Sequence, residues 1–283
     1  MMYQCWIENE YGEKLELTNN KNYTIYQIDG LQPPDATINM SKVANADGAL
    51  FNSSSTNERN VVLYMTIEDD CEENRINLYK YAKTKKYIKF SYKNSRRDVY
   101  VEGIVESIQI AIFDMKQTAQ ISILCPLPYF KAADDDITTF AAVIPKFVFP
   151  FAYEATGEPF STLEIGITKS IINGGDIENG IIINIKANGT VLNPQIYNIS
   201  KNEYFKLEIE MNEGDEIVIN TNKMSKSVNL IHNGVKSNVI NNMVIGSVWF
   251  QLLPGDNIFT SGADEFPENL LCSVFHVDEF EGV

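Results

Sequence analysis

Between residues 96 and 130 the chain alternates in two matched runs. Ile108, Ile110 and Ile112 alternate with Gln109 and Ala111. After a polar turn over 114–118, Ala119, Ile121, Ile123 and Cys125 alternate with Gln120, Ser122 and Leu124. Two period-2 runs joined by a short polar link predict an antiparallel hairpin with one buried face. Pro126 and Pro128 cannot donate to a ladder and end the second strand, so a domain border is expected just after Phe130.

Upstream, residues 3–8 and 14–18 bracket a polar turn, a first hairpin. The run 28–34, IDGLQPP, reads as a rigid extended turn, and Asp47-Gly48 as another. The polar run 52–60 is expected to be a mobile loop, and 61–67 (VVLYMTI) a buried strand. One helix follows. Asp69 or Asp70 is placed to cap it, Glu72 and Glu73 sit in its first turn, and Lys83, Lys85 and Lys86 crowd its end. Cys71, Arg75, Leu78, Tyr79 and Ala82 share a face at helical spacing. Residues 87–92 return to strand.

Beyond residue 131 the pattern is strand and turn. Leu163, Ile165 and Ile167 alternate with Glu164, Gly166 and Thr168; Ile181, Ile183 and Ile185 continue the theme. Phe205, Leu207, Ile209 and Met211 oppose Lys206, Glu208 and Glu210, Ile217 and Ile219 follow the next turn, and Val248, Phe250 and Leu252 precede Pro254-Gly255. Short strands at regular spacing predict a β-sandwich. The fold class expected is mainly β with one helix, divided into a domain over 1–132, a linker over 133–150 and a sandwich over 151–283. Asp134, Asp135 and Asp136 fall in that linker, where a solvated stretch outweighs a calcium loop, since alternating ligands and a glycine turn are lacking.

Charge changes the picture more than composition does. Residues 1–130 hold 14 Lys and Arg against 17 Asp and Glu, a balance of −3, whereas 131–283 hold 9 against 21, a balance of −12. Neither half offers the basic face that exchanges for counterions, so specific nucleic-acid binding is not expected. The first residues lack a basic and apolar leader pattern, and no apolar run reaches the ~18 residues of a membrane helix. A chain made in a cytoplasm, with no membrane partner, is the expectation. Cys5, Cys71, Cys125 and Cys272 show no metal or redox spacing and read as reduced, packed thiols. The Asn-x-Ser/Thr triplets at Asn22, Asn39, Asn188 and Asn198 reflect an Asn-rich composition rather than glycosylation.

No catalytic constellation is visible. His232 and His276 are the only histidines, and no nucleophile motif accompanies either; Glu208 and Glu210 read as solvated surface rather than a glycosidase pair, and no Gly-rich stretch continues into a phosphate loop. No catalytic, cofactor-binding or metal-ligating residues are assigned, and no cofactor is expected. Trp249 is the one candidate for stacking on a glycan, although its neighbours Val248 and Phe250 leave either face open to burial.

The order of landmarks resembles the phage distal tail protein family. In the first half these are Gly30-Leu31-Gln32-Pro33-Pro34, Asp47-Gly48, Arg59 before a strand, the single helix, Tyr100-Val101-Glu102-Gly103, and the CPLPYF run ending at Phe130. In the second they are Asn173-Gly174-Gly175-Asp176, Asn193-Pro194-Gln195-Ile196, Glu213-Gly214-Asp215, and 247–255 with Trp249. The resemblance implies a split-barrel-like first domain with a helix and a galectin-like sandwich. It implies a structural part of the virion tail, assembled in the bacterial host cytoplasm, whose first domains close into a hexamer, as single or stacked rings. Implied partners are the tail tube protein, a tail-tip or tail-associated protein, and receptor-binding or baseplate proteins, with DNA passing through the ring. A cell-wall glycan-binding module on a tail adaptor is the alternative; a hydrolase is disfavoured.

Overall fold

The structure, a computed structural model, describes residues 3–45, 47–134, 136–139, 142–145, 161–164 and 168–283. The chain divides into two compact units. The first comprises Met1–Ala133 with Glu279–Val283, and the second Asp134–Asp278.

The first unit is one antiparallel sheet with a helix and a detached ribbon. In chain order its elements are β1 (Tyr3–Asn9), β2 (Lys14–Glu16), β3 (Tyr23–Asp29), β4 (Ala36–Ser41), β5 (Leu50–Thr56), β6 (Arg59–Ile67), α1 (Cys71–Tyr81), β7 (Tyr87–Asn94), β8 (Asp98–Ile110), β9 (Thr118–Cys125) and β10 (Phe130–Ala132). The sheet runs β2-β1-β7-β8-β9-β6-β3, with β10 paired to the start of β8. The expected hairpin is β8–β9, with Ile108 opposite Ile121 and a bulge between Val105 and Ser107. Alternation supplies the core: Val61, Leu63, Met65 and Ile67 of β6 and Ala119, Ile121, Ile123 and Cys125 of β9 are buried on one side.

The helix packs on β1 and β6, but on a face rotated from the expected one. Leu78 and Ala82 are buried as predicted, whereas Tyr79 is exposed and Asn74 is buried instead. Asn74 is tolerated inside because its amide donates to the carbonyls of Glu68 (3.0 Å) and Asp69 (3.2 Å), while Tyr23 Oη donates to its carbonyl at 2.8 Å. Asp70 makes no side-chain cap bond, since its backbone (φ 11°, ψ 57°) lies outside the extended region a capping side chain needs.

The second unit has two larger sheets around one core. A six-stranded sheet orders Asp136–Thr139, Leu270–His276, Ile182–Ala187, Glu216–Asn220, Ser227–His232 and Val235–Asn238. A four-stranded sheet orders Lys169–Asn173, Gly255–Gly262, Gln195–Asn198 and Glu203–Lys206. Ile183, Ile185, Ile217, Ile219 and Val274 of the first meet Ile171, Ile196, Phe205 and Phe259 of the second in a single apolar cluster, which is a β-sandwich. Asn side chains hold its turns. Asn257 donates to Leu253 O at 2.7 Å and accepts from Leu253 N at 3.0 Å, and Asn173 donates to Ile177 O at 2.9 Å. Asn198, which heads one such triplet, is fully buried and accepts from Lys201 N.

The mainly-β, one-helix class is thus what folds. Three boundaries differ from expectation. Residues 136–139 are a strand of the sandwich rather than linker, and 279–283 belong to the first unit rather than the sandwich. The run 52–60 is not a loop: it contains most of β5 and the start of β6. The strand expected over 163–167 is described only as Ser161–Glu164, paired with Ala142–Pro145; Ile165 and Ile167 lie outside the described residues.

All four cysteines are free thiols, and Cys5, Cys125 and Cys272 are buried. Burial pushes the Cys5 and Cys125 thiols up to about 12 and raises that of Cys272 as well. Only Cys71, half-buried at the helix start, should react with a thiol reagent at pH 8 in the native protein. Rapid labelling of two or more thiols would contradict this packing.

Candidate assembly surfaces

The residues weighed for chemistry take structural positions. Asp215 is buried in its turn, accepting from Asn212 N at 2.9 Å and contacting Nδ1 of His232 at 2.6 Å. His276 is buried, with Nε2 3.0 Å from Ile172 O. Glu208 and Glu210 are exposed. Among the described residues no group of three or more His, Cys, Asp and Glu is placed to hold a metal. Trp249 is half-buried on the sandwich core; the Phe205 ring meets it edge-on at 5.3 Å, and Lys226 Nζ stands 5.6 Å from its centroid.

The surface that calls for a partner is the β4–β5 ribbon. Its strands pair only with each other, and every residue of both is exposed. The register separates two faces. Thr37 opposite Ser55 and Asn39 opposite Ser53 form a polar face, tied by Thr37 to Asn57 (2.7 Å), Asn39 to Ser53 (3.1 Å) and Asn52 to Ser41 (2.6 Å). Ile38 and Met40 opposite Phe51 form the other, at 54%, 60% and 65% exposure. A two-stranded ribbon is marginal alone in water, and this one presents both apolar side chains and unpaired edges. Burying three such side chains against another surface is worth roughly 1.5–3 kcal/mol each before the costs of association.

The ribbon's root is closely held. Gly30 adopts φ +85°, and a Cβ there would stand 2.2 Å from Asn60 O, so only glycine lets the incoming limb pass the returning one. Arg59, the first residue after the ribbon, is 2% exposed and lies over the Phe130 ring at 4.4 Å. It donates to the carbonyls of Gly30, Gln32 (2.7 Å), Pro128 and Glu281 (2.5 Å). Burial lowers its pKa from the ordinary guanidinium value, in keeping with a charge solvated by carbonyls rather than water.

Sequence reasoning missed the ribbon because the Asn/Ser-rich run 52–60 imitates a loop. The signal was present: Ile38 and Met40 alternate with Thr37, Asn39 and Ser41 ahead of the Asp47-Gly48 turn. A second exposed apolar cluster caps the β8–β9 hairpin, where Phe113 and Met115 are fully exposed.

Residues 174–268 match the family described as the siphovirus-type tail component, C-terminal domain. Among solved structures, the chain is similar to SPP1 Dit (gp 19.1), described as a paradigm of the hub adsorption apparatus in Gram-positive infecting phages. The identity is 11%, the TM-score 0.69, and the alignment covers 99% of this chain and 100% of that one. Similarity extends to a chain of the phage P2 baseplate in its Ca-activated conformation, at 10% identity, TM-score 0.53 and 98% coverage of each. No curated protein matches. Residues 174–268 of the second unit are thus similar to the C-terminal domain of siphovirus-type tail components, and the whole chain has the fold of SPP1 Dit.

If the hairpin tip is surface and the β9 face is core, single substitutions separate them. Phe113→Ala and Met115→Ala should each change unfolding free energy by no more than about 0.5 kcal/mol, whereas Ile121→Ala should cost about 2–5 kcal/mol. Urea titrations check both; a costly Phe113→Ala would mean that the tip is packed.

Proposed function

We propose that this protein is the hub at the distal end of a phage-type tail. In this reading its first units close into a hexameric ring, and its sandwiches face outward to adsorption or baseplate components. The observation that carries it is the amphipathic ribbon, rooted rigidly and wholly exposed, on a chain with the distal tail protein fold. A ring needs a heterologous contact repeated on every copy, and a projecting ribbon that lays Ile38, Met40 and Phe51 on the next copy supplies one. Charge agrees: the first half, at −3, packs beside its own copies with less repulsion than the second, at −12.

Partners follow from position. The tail tube protein meets one face of the ring, a tail-tip or tail-associated protein the other, and receptor-binding or baseplate proteins the sandwiches. DNA passes through a lumen that the near-neutral first half leaves without a sticky basic wall. Arg97 is tied to Gly282 O, and Lys116 pairs with Glu68 at 3.3 Å. The protein is accordingly a virion tail part assembled in the host cytoplasm.

Native mass spectrometry of the full chain should show hexamers, or pairs of them. The variant I38S/M40S/F51S should be monomeric and still melt cooperatively, since those side chains lie outside the core of the single copy. Hexamers in the variant would remove the ribbon from the interface.

A further inference from the structure

The last five residues leave the sandwich and bind the first unit. Phe280 pairs with Phe130 and Glu279 with Lys131, so the tail adds a strand beside β10. Phe280 lies under the Arg97 guanidinium at 4.3 Å, and Arg97 donates to Gly282 O. Arg59 donates to Glu281 O, and Val283 N to Leu31 O at 3.1 Å. Phe280 and Val283 pack on the first unit's core. A Cβ on Gly282 would stand 3.1 Å from both Leu31 O and Pro33 Cδ, so the tail lies tight on the Gly30–Pro34 turn.

These contacts converge on the root of the ribbon. Leu31 and Pro33 lie in the limb that enters β4, and Arg59 is the residue that leaves β5. One guanidinium thus joins the incoming limb (Gly30, Gln32), the exit of β9 (Pro128) and the tail (Glu281). Among the described residues the ribbon's strands pair only with each other, and Thr56 Oγ1 lies 3.1 Å from Tyr129 Oη on β10's approach. Its direction is therefore set at this joint.

We propose that the Gly30–Pro34 turn, Arg59, Arg97 and Phe130 form a peptide site, filled in cis by the chain's own last five residues, whose occupation fixes the ribbon for self-association. With residues 279–283 unseated, the ribbon loses its fixed direction and self-association weakens. The consequence for assembly rests on the ribbon reading above; the site itself does not.

The test compares the full chain with a chain ending at Asp278 and with full-length Gly282→Val, whose side chain collides with the turn. Each is followed by thermal melting, native mass spectrometry and hydrogen exchange. Both variants should melt cooperatively and lose amide protection over 30–32 and 57–60. A root free to swing populates the competent direction for part of the time, so association should weaken about tenfold or more. Adding the synthetic peptide Glu-Phe-Glu-Gly-Val to the shortened chain should restore both protection and association, and a peptide with Ala for Phe should restore neither. Unchanged root protection in either folded variant would overturn the site, even if the full chain proves monomeric. Lost protection with unchanged association would overturn the assembly role alone. Should the shortened chain fail to fold, Gly282→Val decides, and a peptide that binds neither variant counts against the site.

Discussion

The first unit is organised around a buried positive charge solvated by backbone. Arg59 is held between the Phe130 ring and four carbonyl oxygens from the Gly30–Gln32 turn, the exit of β9 and the chain terminus. A desolvated guanidinium without such acceptors would be costly, so each contributing segment has to arrive in place for the others to be stable. Lysine would not substitute, because three donors on a point charge cannot reach four carbonyls set around a plane. Segments distant in sequence, including the final residues, are made to depend on one another, and the ribbon between them inherits its position.

That constraint links the fold to its use. A sheet whose core is complete on one side carries a ribbon that has no core of its own, with a polar face satisfied by its own side-chain ladder and an apolar face left in water. The ribbon is held at its root by the Gly30 close approach and the Arg59 hydrogen bonds, while Ile38, Met40 and Phe51 stay exposed in the single copy. The sandwich is self-sufficient by contrast: both its sheets bury their apolar faces against each other, and its half of the chain carries a balance of −12.

Much of this was legible in the sequence where periodicity and burial agree. The β8–β9 hairpin, the β6 strand and the sandwich follow from alternation, and the helix from its acidic first turn and basic end, although Asp70 does not cap it and its buried face is rotated. What was not legible is polar in composition yet structured. Asn74 is buried because two carbonyls happen to converge on its amide, and the Asn and Ser residues of β5 form a ladder rather than a loop. Residues 279–283 contain nothing that announces a return to the first unit, because their contacts run through backbone carbonyls that any residue possesses. Arg59 was noted only as a landmark before a strand; its burial, and with it the joint, is a tertiary fact.

The central claim is that the ribbon of one copy lies on the first unit of the next in a closed ring. Electron microscopy of the purified full-length protein tests it directly. The account predicts sixfold rings in which Ile38, Met40 and Phe51 are buried between neighbouring first units and the sandwiches lie outside. Rings joined through the sandwiches, with the ribbon's apolar face still in solvent, would contradict it.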